Sequence, residues 1–264
     1  ILNRNVIAND LNPIANFINK QLLNKSIDLS LLKKQWISIK NEFEEFNSKW
    51  FEWLYKNEKV QLTSILRDKD NIPIKAKFKN KGMLKAVEID LDKNQVDYFL
   101  ANENSYIIED WYPNDNLILN SRISAKKGMT IASLFTKRTL ACHARLLNII
   151  ERNSSGNEID LFKLAFTSNL ANCSKLVPPI NSRGEMSQGA WMTGFYTGET
   201  YIENNVLKYF ENRFDKVIKG KIDYLNEFCE NGQFNFDQIV YKNGYKVLNN
   251  DVKKLEIESD SVDY

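Results

Sequence analysis

The segment NVIANDLNPIANFI, residues 5–18, constrains the fold more tightly than any other stretch of the chain. Asn5 to Ala8 read as a short strand, the run closes on an acid, Asp10, and Asn12-Pro13 opens a helix at once. An Asn side chain caps the free amides of a first helical turn, and Pro at the first helical position sacrifices no hydrogen bond. A strand ending on a carboxylate and passing into a helix is half of a nucleotide site in doubly wound sheets, where the carboxylate accepts hydrogen bonds from both ribose hydroxyls. The glycine-rich loop of such a site belongs some 20 residues before that strand. The segment alone therefore leaves Asp10 open between a ligand-binding acid and an ordinary surface residue.

With 264 residues, 43% hydrophobic and 12% aromatic, the chain is long enough to bury a core as one large domain or two small ones. It contains no apolar run of the ~18 residues that a membrane-spanning helix needs, and its start lacks the pattern of a secretion signal. The expectation is a soluble, intracellular protein without membrane contact. Cys142, Cys173 and Cys229 stand apart, with no CxxC pair and a single histidine, His143, so neither a disulfide framework nor a metal cluster is expected. Cys142 and His143 are neighbours in a helical pattern, where adjacent side chains do not face each other, and no catalytic role is assigned to them. The net charge is +2, yet Asn116 to Lys221 holds 15 Lys and Arg against 8 Asp and Glu. That region is either a surface for a polyanion or an ordinary solvated one.

Along the chain, IANFINKQLLN continues the first helix. LLKKQWISIKNEFEEFNSKWFEWLYK follows with Leu32, Trp36, Ile39, Phe43 and Phe46 at helical spacing, a core-packing stripe capped by Ser30 or Asp28. From about residue 59 to 101, VQLTSIL, PIKAKFK and KAVEIDL alternate as strands of a small antiparallel sheet. A connector with Pro113 and Gly128 leads to a helix starting at Thr130 or Ser133. A second helix, EIDLFKLAFTSNLANCSKLV, should end at Pro178-Pro179, since proline cannot supply the next amide. INSRGEMSQGAWMTGFYTGETY holds four of the ten glycines and reads as a flexible functional loop. The last long helix, NNVLKYFENRFDKVIKGKIDYLNEFC, sets Val206, Phe210, Phe214, Val217 and Leu225 near one face, with Arg213 read as structural, paired to Glu211 or a neighbouring helix. Lys246-Val247-Leu248 reads as a strand and Asn249-Asn250-Asp251 as its loop.

Several of these segments resemble one family. NVIANDLNPIANFI is similar to the segment after the glycine-rich loop of amino-group DNA methyltransferases, which methylate adenine N6 or cytosine N4 with S-adenosylmethionine. WYPNDNLILNSRISAKKGMTIASLFTKRTL, LAFTSNLANCSKLV and ENNVLKYFENRFDKVIKGK resemble stretches of its larger members, and NNDVKKLEIESDSVDY resembles the approach to the catalytic Asp-Pro-Pro-Tyr box. The likeness covers most of the chain except about residues 55–105, where many relatives hold a zinc ribbon; no cysteine precedes Cys142 here.

The resemblance implies an α/β fold in which the two ends, 1–24 and 236–264, contribute part of a Rossmann-like class I methyltransferase sheet. Residues 25–235 would be a large, mostly helical insertion carrying the small β subdomain and recognising target DNA. It implies that Asp10 binds the cofactor ribose, that Leu11 and Asn12 line the adenine pocket, and that Asp251, with Val252, meets the adenine amine; a plain turn aspartate suits the Asn249-Asn250-Asp251 composition equally well. Candidate DNA contacts in the insertion are Arg122, Lys126, Lys127, Lys137, Arg138, Lys175 and Arg183, with Gln188, Trp191 and Tyr196 as base-reading or stacking groups. No catalytic or metal-binding residue is assigned. Neither the glycine-rich loop nor the Asp-Pro-Pro-Tyr box occurs in residues 1–264, so the expectation is an internal piece of a longer bacterial or archaeal cytoplasmic enzyme, inactive by itself. In a restriction-modification setting a restriction endonuclease is a candidate partner; the oligomeric state stays open. Two rival readings remain: a non-catalytic DNA-binding specificity or scaffold module, and an RNA methyltransferase.

Overall fold

The computed structural model describes residues 6–80, 82–228 and 245–255. Cys229, the expected domain boundary at 235 and the approach to the catalytic box from residue 256 onward lie outside the described residues. Two compact units are present, one formed by the ends, Ile1–Asp28 with Lys216–Tyr264, the other by Leu29–Asp215. The secondary structure is mixed α/β, with a mostly antiparallel sheet and one parallel pair of strands.

In the unit formed by the ends, β1 (Val6–Asn9) runs parallel to β7 (Tyr245–Leu248), with Val6 opposite Tyr245 and Asn9 opposite Leu248. Of the open parallel sheet expected from the ends, the described residues contain this one pair. α1 (Pro13–Leu23) begins as the sequence implies: Asn12 Oδ1 accepts from the Ile14 amide at 2.9 Å and Pro13 occupies the first turn. The helix has no glycine to close it. Its last carbonyls are satisfied instead by the buried Lys221, whose Nζ donates to the oxygens of Gln21, Leu22 and Asn24 at 2.7, 3.1 and 2.8 Å. A cation at a helix C-terminus also meets the negative end of the helix dipole. Tyr224 adds a bond from its hydroxyl to the Leu23 carbonyl at 3.0 Å.

The other unit is built on α2 (Leu29–Phe51), whose buried stripe includes Leu32, Ile39, Phe43 and Trp50. The periodicity of its sequence would carry the helix to Lys56. It stops at Phe51 because Glu52–Tyr55 pairs as β2 with β3 (Glu58–Asp68), through a turn in which Lys56 and Asn57 both have positive φ, 49° and 66°. Two such residues give the hairpin twist that matches paired strands. β4 (Pro73–Phe78) and β5 (Val87–Asp90) extend the sheet on one side of β3. α3 (Lys93–Ser105) then occupies the end of the stretch read as sheet, started by a capping box between Asp92 and Gln95.

The small sheet is not self-contained. β6 (Thr200–Asn204) returns from far along the chain to pair antiparallel with β3, so that β3 is flanked by β4 on one side and β6 on the other. α4 (Lys137–Asn153) is capped by Thr136 rather than Thr130 or Ser133, which exchange hydrogen bonds around a preceding 3₁₀ turn. It packs along α2, with Arg152 and Asn153 both bonded to Glu42, at 2.6 and 2.8 Å. α5 (Glu158–Leu170) ends before the prolines in a 3₁₀ turn, Ala171–Cys173. α6 (Val206–Phe228) buries Val206, Phe210, Phe214 and Leu225 of the apolar face read from its pattern, while Val217 is half-buried. Its Glu211 pairs with Lys40 at 2.8 Å rather than with Arg213.

Replacing Lys221 with Met is expected to remove the donor shared by the Gln21, Leu22 and Asn24 carbonyls at the end of α1, at a cost of about 1–3 kcal/mol. Faster native-state hydrogen exchange in α1 than in α4 would register it, and unchanged exchange would refute the capping role.

Candidate functional site

The parallel register brings together the two acids predicted from the ends, since Asp10 follows β1 directly and Asp251 lies three residues past β7. The loops behind the strands are cross-bonded. Asn9 Nδ2 donates to the Asn250 carbonyl at 2.9 Å and Asn9 Oδ1 accepts from the Asn250 amide at 3.1 Å. Buried Asn16 donates to the Asp10 carbonyl at 2.7 Å. The Asn249 amide lies 3.0 Å from Asn16 Nδ2; with its oxygen there it would face the Asp10 and Leu11 carbonyls, so the satisfied orientation turns its nitrogen to those carbonyls, at 2.9 and 3.1 Å.

Each acid spends one oxygen on its own loop. Asp10 Oδ1 accepts from the Asn12 amide at 2.8 Å, and Asp251 Oδ1 caps a 3₁₀ turn by accepting from the Lys253 amide at 3.0 Å. Among the described residues the second oxygen of each has no hydrogen-bond partner, which leaves it available to hydroxyl or amine donors. Beside them Leu11 and Val252 are exposed at 67% and 71%, apolar faces next to open carboxylates. The Asn12 side-chain oxygen is committed to the α1 cap.

In the other unit the candidate DNA contacts fall into three groups. Arg122, Lys126 and Lys127 are exposed on the connector between α3 and α4, where Gly128, at φ +86°, completes a turn closed by the Met129 amide on the Lys126 carbonyl. This connector is held against the glycine-rich loop, for the Ser124 amide donates to the Gly194 carbonyl at 2.6 Å. A Cβ on Gly194 would come within 3.2 Å of the Arg122 carbonyl, so the close approach needs glycine there. Arg122 and the exposed Trp191 and Tyr196 are thereby carried on adjoining segments. Arg183 is exposed on a separate turn, bounded by the bridge between Pro179 and Gln188.

Gln188 is exposed, but its amide is engaged at both ends, by Tyr209 and Asn204. Lys137 is half-buried. Lys175 is also half-buried, and burial, followed by the charge of Arg67, holds its ammonium below the ordinary lysine value.

Arg138 belongs to the interior, contrary to its assignment as a DNA contact. Only 1% of it is exposed, and it lies between the rings of Phe51 and Phe99. Its guanidinium donates to the Trp50 carbonyl at 2.5 Å and to Glu103 at 3.0 Å. Glu103 also pairs with buried Arg67, which donates to Glu203 at 2.9 Å and to the Asn71 carbonyl at 2.7 Å. Thr136 completes the cluster with a hydrogen bond to Glu203. Burial would raise the Glu203 carboxyl, but Arg67 and Arg138 outweigh it and hold the group below the usual carboxylate range. The sequence signal for this cluster was present in charged residues set within the apolar strand patterns SILRD and TYIEN.

Cys142 and His143 form no catalytic pair. His143 Nδ1 bonds the Thr139 carbonyl at 2.8 Å, so that nitrogen carries the proton, and Nε2 faces the Asn169 amide at 3.4 Å. Burial pushes the imidazole down to about 4 and raises the Cys142 thiol well above its ordinary value.

Sequence reasoning passed over an almost wholly apolar cavity of about 340 Å³ between the connector, α4, α5 and the glycine-rich loop. Trp111 and Trp191, 71% and 46% exposed, line it at its rim. Phe195, another wall, has φ +57°, a left-handed conformation that costs a bulky residue about 1–3 kcal/mol. The available signal was aromatic residues in WYP and GFY, outside any helical or strand periodicity.

Among the described residues no helix is long and apolar enough to cross a membrane, and no group of three or more His, Cys, Asp or Glu is placed to hold a metal ion. No family model, curated protein or solved structure matches the chain.

Arg138→Ala is expected to destabilise the protein by about 3–5 kcal/mol by leaving buried Glu103 short of a partner, as measured by urea unfolding. A stably folded variant with only weaker DNA binding would contradict the interior role. Because native His143 stays neutral down to about pH 4 whereas an unfolded histidine titrates near 6.5, the unfolded state binds the extra proton between those values. Stability therefore falls as pH drops through that window, by about 3 kcal/mol from this group. His143→Gln should flatten that part of the urea-unfolding pH profile, and an unchanged slope would exclude the assignment.

Proposed function

We propose that the chain is the cofactor-fixing and target-binding part of a DNA methyltransferase that moves a methyl group from S-adenosylmethionine to an exocyclic amine of adenine or cytosine. The observation that carries this reading is the parallel pairing of β1 with β7, which sets Asp10 and Asp251 past the carboxyl ends of adjacent strands. Ligands of open α/β sheets lie in the crevice outside those ends. On this reading β1, α1 and β7 are part of a Rossmann-like class I methyltransferase sheet, as the resemblance of NVIANDLNPIANFI implies.

The residues present fit an adenosyl group. The open oxygen of Asp10 takes the ribose hydroxyls, that of Asp251 takes the adenine amine, and Leu11 and Val252 supply apolar surface for the purine ring. Asn12 contributes by fixing the turn, since its side-chain oxygen is spent on the helix cap. S-Adenosylmethionine, when bound, supplies an electrophilic methyl carbon on a sulfonium. On this reading the target amine is aligned by an Asp-Pro-Pro-Tyr element, which does not occur in residues 1–264. Arg122, Lys126 and Lys127 are the exposed cations suited to DNA phosphates, beside the Trp191 and Tyr196 loop.

The test is calorimetric titration of S-adenosylmethionine into the intact encoded protein. Loss of a charge-assisted pair of hydrogen bonds in Asp10→Ala should weaken binding about 10- to 100-fold. Affinity within twofold of the parent would remove the ribose role.

A further inference from the structure

In the strand pattern PIKAKFK, residues 73–79, alternation sets Lys75, Lys77 and Lys79 on one face of β4 and its continuation. Carboxylates neutralise the first two. Lys75 pairs with Asp90 and Glu185 at 2.7 and 2.6 Å, and Lys77 with Glu88 at 2.7 Å. Lys79 pairs with none among the described residues. Its backbone is fixed alongside β3: the Lys79 amide donates to the Gln61 carbonyl at 3.3 Å, and the Asn80 side chain bonds the Gln61 amide and the Lys59 carbonyl, both at 3.2 Å.

A second cation of this kind comes from the start of α6. Asn205 ties that helix to β3, donating through its backbone to the Thr63 carbonyl at 3.0 Å and through its side chain to the Leu62 carbonyl at 2.9 Å. Its side-chain oxygen accepts from the Lys208 amide at 3.2 Å. Lys208 thus occupies the first helical turn, where the helix dipole disfavours a cation. Partial burial, then the charges of Lys79 and Lys77, hold its ammonium below the ordinary lysine value. Glu211, one turn further on, is engaged by Lys40 at 2.8 Å.

Lys79 and Lys208 line one open, polar cleft of about 640 Å³, a volume in the range of small-ligand sites. Like charges held near each other by frames anchored on one strand are relieved by an anion between them. The charge that matches them is about two, which a phosphate monoester approaches at neutral pH, whereas a backbone diester carries about one. Glu44, Glu52 and Glu211 line the rest of the cleft and disfavour a polyanion running through it. Glu44 and the Gln61 side chain make no hydrogen bond among the described residues, so both are open to hydroxyl groups.

We propose that this cleft binds a small phosphorylated polyol or sugar, its phosphate monoester between Lys79 and Lys208 and its hydroxyl groups on Glu44 and Gln61. Such a site is independent of the strand-end acids and of the DNA-binding reading. Isothermal titration of ribose 5-phosphate into the full 264-residue chain should give one saturable site. Ribose lacks the phosphate, dimethyl phosphate the second charge and inorganic phosphate the hydroxyl-bearing body, so each should bind at least about tenfold more weakly. Lys79→Gln and Lys208→Gln should each weaken ribose 5-phosphate about tenfold, while Lys79→Arg retains it and Lys33→Gln, an exposed change on α2, leaves it unchanged. An anion favours the charged form of a neighbouring lysine, so the ¹³Cε resonance of Lys208 should titrate at a higher pH with ribose 5-phosphate than without it.

No saturable binding of ribose 5-phosphate at millimolar concentration overturns the proposal, as does binding that survives both glutamine variants or an unmoved Lys208 titration. Inorganic phosphate binding as tightly as ribose 5-phosphate overturns it in favour of the free ion. Dimethyl phosphate binding as tightly, or displacement of ribose 5-phosphate by a short DNA duplex, overturns it in favour of a nucleic-acid backbone groove. None of these outcomes touches S-adenosylmethionine binding or its loss in Asp10→Ala, so the two readings fail separately.

Discussion

Parallel strands cannot be joined by a tight turn, and β1 and β7 are parallel neighbours separated by more than two hundred residues. The long crossover between them accommodates an entire second unit, Leu29–Asp215. The strand ends are then tied by local chemistry, not by bulk burial. Asn9 bonds the backbone of Asn250 in both directions, and Asn16 and Asn249 hold the carbonyls of the Asp10 loop. These bonds fix the loops that carry two carboxylates past the ends of the paired strands, each with one oxygen that has no hydrogen-bond partner among the described residues. Lys221 and Tyr224 finish α1 from the far end of the sequence.

The second unit depends on a different device. Two arginines and two glutamates, Arg67, Arg138, Glu103 and Glu203, are buried together at no net charge, joining β3, α3, α4 and β6. Burying four charges is tolerable only if each finds a partner, so the cluster ties strands and helices into one arrangement. The loops that extend from those elements, the connector and the glycine-rich loop, carry the exposed cations and tryptophans.

Local signals in the sequence were legible where the cause was local. Asn12-Pro13 started a helix as its chemistry requires, and the apolar periodicity of α2 and α6 marked their buried faces. Reading failed where a distant segment decided the outcome. The helical pattern through WFEWLYK ended at Phe51 because Glu52–Tyr55 had a strand to pair with, and the small sheet proved to include β6 from residue 200 onward. Arg138 looked like any other basic residue in LFTKRTL. Only the positions of Glu103, Trp50 and Phe99 around it reveal an interior cation.

By itself the sequence determined the strand, acid and capped helix at Asp10, the helical stripes and the basic bias of the middle region. These depend on side chains a few residues apart, or on composition. Tertiary structure alone decided that Asp10 and Asp251 lie past the ends of paired parallel strands, that Arg138 is internal while Arg122 is exposed, and that aromatic residues from distant segments line one largely apolar pocket. Each of those depends on which distant segments meet, and neither periodicity nor motif spacing carries that information.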